Sequence, residues 1–489
     1  AARAAAGSNH SPPAADARHG HTTQGRDARS FFPKGHALLI RRLPISFQPL
    51  TTLSIAALVL VAVVIGGASS ASADLKGFKK AWGRASKQAG EGRTKAQLAA
   101  LEMIKAEDDA KLARLLPALA LDTTFDYRVR DAAEDALSRL AGPGVDVWFA
   151  ESLGASGKRA KEKHPGRRVV LCHVLGRRAG SDAAARKVLL AALKDPDASV
   201  ATAALRGVRE LKEKDVVTAL VGVLSSAQGR LEADCRAALK RLTGEAFASA
   251  AEWQSYWEAK GSAWDPNATP GSRETEASGE RHVSTRTRLE PPKGGKTIYG
   301  EVTSSRVLFV VDVSGSMQVR AKDTTDRLRT RLDYVRLSLA GVIESQLTEK
   351  DQFNILSFSS SARLFSKKKK LLKGNAANKK RAASWIRSLQ PEDGTNVYLA
   401  LQRAFEVKGG VDTIYFLSDG SPSEGASIVT DEILGHVRRW NSGRGVRIHT
   451  IGFLVGDGKN LGIVQNKGMA KRFLQALAKD NDGSARFFE

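Results

Sequence analysis

The spacing of hydrophobic positions divides the chain into regions of different type. From Thr94 to about Gly261, apolar residues recur every three to four positions, which predicts helices. After Gly300, short continuous apolar runs alternate with helical stretches, a pattern typical of a parallel sheet covered by helices on both faces. We predict strands at 307–311, 353–358, 413–417, 448–454 and 485–488, and helices at 326–347 and 396–407.

The helical region also repeats itself. Similar apolar segments begin at Leu98, Ala133, Leu171, Ala204 and Cys235, and second apolar stretches lie between them, so each unit is interpreted as a pair of helices. The segment 195–224, DPDASVATAALRGVRELKEKDVVTALVGVL, resembles a HEAT repeat. A compact helical bundle stays open as the alternative, because short helices at drifting spacing fit a bundle as well.

A further apolar run lies near the N-terminus and has the order of a signal peptide. Arg41 and Arg42 precede the apolar core 53–65, and small residues follow as far as Ala73. The run is shorter than the roughly 20 apolar residues that cross a bilayer. We therefore expect residues 1–73 to be a disordered N-terminus plus a signal peptide, and the protein to be exported. The alternative is a membrane anchor formed by residues 53–68.

Composition marks the boundary between two folded regions. Residues 262–296 are rich in Pro, Gly, Ser and charged side chains without a hydrophobic period, which indicates a flexible linker. The predicted architecture is an all-α, HEAT-like repeat domain at 74–261 followed by an α/β doubly wound domain at 297–489.

Charge and cysteine content exclude several classes of protein. Two cysteines cannot support a disulfide scaffold, and Cys172 and Cys235 are expected to be buried and unbridged. Lys and Arg outnumber Asp and Glu by 76 to 52, for a net charge of +24, so nucleic acid must be considered as a partner. The basic residues are spread along the chain rather than clustered, which disfavours that partner.

Polar residues collect where the predicted strands end. Asp312, Ser314 and Ser316 follow the first strand, Asp419 follows the strand at 413–417, and Thr395 precedes a helix. Parallel strands bring such ends to one edge of the sheet. Carboxylates and hydroxyls are hard oxygen donors, which suit Mg²⁺ or Mn²⁺. Taken one at a time, these residues could also be helix caps and turns.

Three segments in this order, SRVLFVVDVSGSM, DGTN and YFLSDG, resemble a von Willebrand factor type A (vWA) domain with a complete metal-ion-dependent adhesion site. The resemblance implies that Ser314 and Ser316 bind the metal directly, that Thr395 does so in the ligand-engaged state, and that Asp312 and Asp419 act largely through water. It also implies a non-enzymatic adhesion protein of the bacterial exported type. Its partner would be a protein that offers an Asp or Glu carboxylate to the metal.

Enzymatic chemistries fit the same residues poorly. A haloacid-dehalogenase-type phosphatase needs a second Asp two positions after the first, where this chain has Ser314, and a serine hydrolase needs Gly-x-Ser-x-Gly with a histidine. Two binding functions remain as alternatives. One is an RNA-binding protein like the Ro proteins, which also join helical repeats to a vWA domain. The other is a vWA partner of an AAA-type ATPase, which export would exclude.

Overall fold

The computed structural model describes residues 75–105, 108–155, 157, 160–267, 297–322, 328–453 and 461–488. The predicted signal segment and the rest of residues 1–73 lie outside these ranges, as does most of the predicted linker. The described residues confirm the main architectural prediction, because a helical region (residues 75–263) is followed by an α/β domain (residues 297–488). Among the described helices, none is both long and apolar enough to cross a membrane.

The helical region consists of short helices whose first turns are often capped by an acidic or hydroxyl side chain. Asp126, Asp182 and Asp197 each accept a hydrogen bond from a backbone N–H of the helix that follows, and Ser249 forms a capping box with Glu252. The described helices are α1 Leu75–Ala85, α2 Gly90–Glu102, α3 Ala110–Ala113, α4 Leu116–Leu121, α5 Tyr127–Arg139, α6 Pro143–Ser152, α7 Pro165–Arg178, α8 Ala183–Ala192, α9 Ala198–Val208, α10 Lys214–Leu224, α11 Arg230–Thr243 and α12 Ala250–Lys260.

The repeated segments fall in five of the described helices, and from α5 onward in every second one. α2, α5, α7, α9 and α11 contain them, and one hydrophobic core runs through the whole helical region. Cys172 in α7 and Cys235 in α11 are buried in that core as free thiols. The helices α7 and α9 approach closely where Gly176 faces Gly207, since a side chain on either glycine would meet the other backbone.

The α/β domain is built on one mixed sheet with the strand order β5-β4-β1-β7-β8-β9, and β6 also pairs with β4. The strands β4, β1, β7, β8 and β9 are parallel, while β5 and β6 run antiparallel to β4. The strands are β1 Arg306–Asp312, β2 Arg320–Lys322, β3 Leu328–Thr330, β4 Gln352–Phe358, β5 Ala362–Leu364, β6 Leu372–Lys373, β7 Thr413–Ser418, β8 Arg447–Phe453 and β9 Ala485–Phe488.

Helices cover both faces of this sheet, as the hydrophobic pattern predicts. α13 and α14 pack on one face, and α15, α16 and α17 pack on the other. All side chains of β1 except that of Arg306 are buried, because the strand lies in the middle of the sheet. The helices are α13 Arg331–Ser345, α14 Ala376–Arg387, α15 Val397–Phe405, α16 Thr430–Asn441 and α17 Leu461–Asp480.

One predicted element is wrong at its N-terminal end. The helix expected at 326–347 begins only at Arg331, because Leu328–Thr330 instead forms β3 and pairs antiparallel with β2. Thr330 then caps α13, because its hydroxyl accepts a hydrogen bond from the Asp333 N–H and its own N–H donates to the Asp333 carboxylate. The position of Arg331 at the first turn of α13 follows from this hairpin and cap.

The helical region packs against the amino-terminal ends of the central strands. Arg230 in α11 donates to the backbone oxygens of Asp412, which precedes β7, and of Gly445, which precedes β8 (2.9 and 2.8 Å). Arg209, which directly follows α9, forms an ion pair with Asp482 in the turn before β9 (2.9 Å). The carboxyl-terminal ends of the strands, where the predicted site lies, are at the opposite edge of the sheet.

Candidate metal centre

The candidate site is formed where two neighbouring parallel strands end. β1 and β7 pair in parallel register, with Val311 opposite Leu417, so their last residues reach the same edge of the sheet. Asp312 ends β1, Ser418 ends β7, and Asp419 follows directly. The Ser418 hydroxyl donates a hydrogen bond to Asp312 Oδ2 (2.6 Å), which joins the two strand ends.

The loop after β1 turns its polar side chains toward Asp419. The Ser314 N–H donates to Asp312 Oδ1 (2.8 Å), and a short 3-10 helix follows at Gly315–Gln318. The hydroxyl oxygens of Ser314 and Ser316 lie 3.0 Å apart, and the Ser316 hydroxyl donates to Asp419 Oδ1 (2.7 Å). A continuous chain of hydrogen bonds therefore connects four of the five predicted site residues.

The fifth predicted residue, Thr395, lies in an adjoining loop at the same edge. Its N–H donates to the Ser423 hydroxyl (2.9 Å), and the Ser423 N–H donates to the Thr395 backbone oxygen (3.1 Å). The Glu392 N–H donates to the Val313 backbone oxygen (2.7 Å). These bonds attach the loop that carries Thr395 both to the segment after β7 and to the loop after β1.

The carboxyl group of Asp312 is buried at the end of β1. Asp312 is fully buried, with an exposed fraction of 0%. Burial raises its pKa well above the ordinary value, and the negative charge of Asp419 acts in the same direction, while hydrogen bonds from Ser314 and Ser418 oppose the rise. A cation close to Asp312 would offset the cost of ionising this buried carboxyl.

Sequence reasoning missed one residue of the site, Arg331. Its Nη1 donates to Asp419 Oδ2, and the same atom lies 3.4 Å from the backbone oxygen of Ser316. The arginine side chain is almost fully buried in this contact. A usable signal was the pair Thr330 and Asp333, whose spacing matches a helix cap and places Arg331 at the first position of α13, next to the site.

The donor set fits a small hard divalent cation. Ser314, Ser316 and Thr395 offer hydroxyl oxygens, and Asp312 and Asp419 offer carboxylate oxygens. Among the described residues, no group of three or more His, Cys, Asp or Glu side chains could hold a metal, and the candidate donors combine two carboxylates with three hydroxyls. This chemistry suits Mg²⁺ or Mn²⁺ rather than a metal that prefers nitrogen or sulfur ligands.

Comparison with known proteins supports the assignment of the α/β domain. Residues 307–421 match the family model of the von Willebrand factor type A domain. The chain is 28% identical over 195 residues to von Willebrand factor A domain-containing protein 3B of Homo sapiens, a match that covers 40% of this chain and 13% of that protein. It is 30% identical over 165 residues to the related protein 3A of Homo sapiens, covering 34% and 12% of the two chains.

A third relative comes from a different group of proteins. The chain is 29% identical over 191 residues to inter-alpha-trypsin inhibitor heavy chain H4 of Homo sapiens, covering 37% of this chain and 18% of that protein. The chain thus spans less than one fifth of each relative. The comparisons support a vWA-like α/β domain after a helical region, and domains of this kind typically mediate protein interactions.

Proposed function

We propose that the α/β domain is a cation-dependent binding module. Asp312, Ser314, Ser316, Thr395 and Asp419 would hold Mg²⁺ or Mn²⁺, and the metal would supply an electrophilic position for an Asp or Glu carboxylate of a protein partner. The observation that carries this proposal is the hydrogen-bonded chain from Asp312 to Asp419 at the end of β1 and β7.

The geometry also supports access by a partner. Ser316 is exposed, whereas Asp312 and Ser314 are buried beneath it. Ser316 therefore brings the donor set to the surface of the domain, while the other four donors are buried. A carboxylate is the expected ligand because a hard cation held by hydroxyls and few acids retains positive charge and prefers an anionic oxygen.

We propose that this site binds a partner and does not catalyse a reaction. In the described residues, the hydrogen bonds of the Ser314 and Ser316 hydroxyls go to each other and to Asp419, and none goes to a histidine that could act as a base. This arrangement supports a role for the hydroxyls as ligands rather than as activated nucleophiles.

The remaining parts of the proposal concern the helical region and location. We propose that α1–α12 are HEAT-like repeats that serve as a protein-interaction platform, supported by the regular recurrence of related helices. The face formed by α9 and α11 already contacts the α/β domain, so a partner would use other faces.

We further propose export, with residues 53–65 as the signal core. Mass spectrometry of the mature protein should find an N-terminus at or near Asp74, and a cellular product that retains residues 53–73 would contradict export.

The metal proposal is tested by calorimetric titration of Mg²⁺ into chelator-treated protein. We expect saturable binding by the wild type and none by Asp312→Ala. Asp393→Ala is the matched control, because Asp393 is an exposed acid in the loop before Thr395 and is outside the donor set. Equal Mg²⁺ affinity in the wild type and Asp312→Ala would refute the site.

A further inference from the structure

A buried arginine contacts the candidate metal centre directly. Arg331 is only 4% exposed, and the Asp419 carboxylate that accepts its hydrogen bond is itself fully buried. The site therefore contains an attractive ion pair as well as two acids of like charge. One of its two acids already has a permanent cationic partner, since an arginine side chain stays protonated at any physiological pH.

Two features fix the backbone at Arg331: the cap of α13 and a hydrogen bond to the segment after β1. Thr330 and Asp333 fix the first turn of α13, and the Arg331 N–H donates to the backbone oxygen of Val319, just beyond the 3-10 helix of the site (3.0 Å). Among the described residues, the buried Nε of Arg331 has no hydrogen-bond partner. In the part of the chain that the structure describes, the hydrogen bonds of the guanidinium go to Asp419 and to the backbone oxygen of Ser316.

The charges in contact at the site can be added directly. When both acids are ionised, Asp312 and Asp419 contribute −2 and Arg331 contributes +1, so the three groups sum to −1. A divalent cation would bring the sum to +1. The same cation with the two carboxylates alone would give a sum of 0. The neighbouring pair Arg363 and Glu392 adds no net charge.

We infer that Arg331 acts as a resident cation that weakens metal binding by the free protein and strengthens capture of an anionic partner. This inference rests on the proposed function. The two effects follow from the same charge, because it repels the incoming metal and attracts the partner's carboxylate. In a poorly solvated site the effect of one unit charge on a divalent ion should be at least about tenfold in affinity.

The test compares three proteins, the wild type, Arg331→Gln and Arg336→Gln, each as the full chain and freed of metal by chelation. In Arg331→Gln the charge is removed and a polar side chain remains. In the control Arg336→Gln one charge is removed from the same helix, where Arg336 pairs with Asp333 and not with the site acids. Calorimetry measures the affinity for Mg²⁺. A second titration adds the peptide N-acetyl-Gly-Asp-Gly-amide to protein saturated with Mg²⁺.

We expect Arg331→Gln to bind Mg²⁺ at least about tenfold more tightly than the wild type and to bind the peptide more weakly, with Arg336→Gln unchanged in both titrations. Unchanged or weaker Mg²⁺ binding by Arg331→Gln, beside normal binding by the wild type, would overturn this inference and leave the proposed function intact. Tighter Mg²⁺ binding with unchanged peptide affinity would overturn its partner clause. If neither protein binds Mg²⁺, the proposed function and the inference both fail.

Loss of folding would also be informative. If Arg331→Gln is unfolded without metal and folds when Mg²⁺ is added, the metal replaces the missing cation, which supports the inference. If it stays unfolded in both conditions, Arg331 has a purely structural role and the inference is overturned. Circular dichroism with and without Mg²⁺ distinguishes these results.

Discussion

Arg447 and Asp234 form a two-point ion pair across the contact between the helical region and the α/β domain. Nη1 and Nη2 of Arg447, at the start of β8, donate to the two carboxylate oxygens of Asp234 in α11 (2.8 and 3.0 Å). Both side chains are largely buried, and Arg447 also pairs with Asp482 (2.8 Å). Paired, two-point bonds of this kind fix orientation as well as distance.

Replacing Arg447 should therefore be costly. In Arg447→Met, Asp234 and Asp482 would remain buried with fewer cationic partners, and we expect a loss of about 3–5 kcal/mol in the free energy of unfolding. Scanning calorimetry should also show the helical region and the α/β domain melting less cooperatively. The exposed pair Arg403 and Glu406 provides the control, since Arg403→Met should cost less than about 1 kcal/mol. Equal losses in the two variants would contradict a role for burial.

The lowered pKa of the Asp482 carboxyl predicts how the stability of the protein depends on pH. Burial alone would raise the pKa of Asp482, but the charges of Arg447 and Arg209 outweigh it and hold the pKa below the ordinary value. A carboxyl with a depressed pKa in the folded state contributes stability above its unfolded pKa, near 4, and that contribution is lost as the pH falls toward the folded pKa.

We accordingly expect Asp482→Asn to be less stable than the wild type at pH 7, with the difference shrinking below about pH 4. Asparagine is the suitable replacement because Asp482 has a positive φ of 56°, which Asn adopts readily. Denaturant unfolding at several pH values measures the difference. A stability gap that stays constant down to pH 2 would show that the charge of Asp482 is not responsible.

Much of the α/β domain was predictable because its strands are buried on both faces. Such strands appear as continuous apolar runs, and the predicted limits agree with β1, β4, β7, β8 and β9 to within one residue at each end. The hairpin of β2 and β3 was not predicted, since strands of three residues are too short to show a hydrophobic period. The helix α13 was consequently given too early a start.

The candidate site was predictable to a similar degree. Strand ends located Asp312, Ser314, Ser316 and Asp419, since parallel topology brings such ends together. The negative charge of Asp419 contributes to the raised pKa of Asp312, so the two acids oppose each other's ionisation. The spacing of Thr330 and Asp333 could place Arg331 at the start of α13, but its contact with Asp419 depends on the path of the chain between β1 and α13.

Close helix packing gives a prediction for the helical region. A Cβ on Gly176 would lie 2.9 Å from the Cα of Gly207, whereas nothing lies within 4 Å of a Cβ on Gly222. Gly176→Ala should therefore destabilise the protein by about 1–3 kcal/mol through overpacking. Gly222→Ala in α10 should be neutral or stabilising by up to about 1 kcal/mol, because alanine favours helix. Urea denaturation that finds both variants equally stable would contradict the close approach of α7 and α9.

The two acids of the candidate site should respond differently to removal in metal-free protein. Asp419→Ala leaves the buried Arg331 guanidinium without its carboxylate, which should cost about 3–5 kcal/mol. Asp312→Ala removes a buried carboxyl whose pKa is raised, so the relief of its ionisation offsets lost hydrogen bonds and stability should stay within about 1 kcal/mol of wild type.

Thermal melts in chelator, with and without added Mg²⁺, check both expectations. We predict that Mg²⁺ raises the wild-type melting temperature by ligand linkage and raises that of neither variant. The double variant Asp419→Ala with Arg331→Met should recover much of the stability lost in Asp419→Ala, because no unpaired charge then remains buried. If Asp419→Ala melts with the wild type in chelator, the Arg331 guanidinium does not depend on Asp419, and the ionic contact at this edge of the sheet contributes nothing to the metal-free fold.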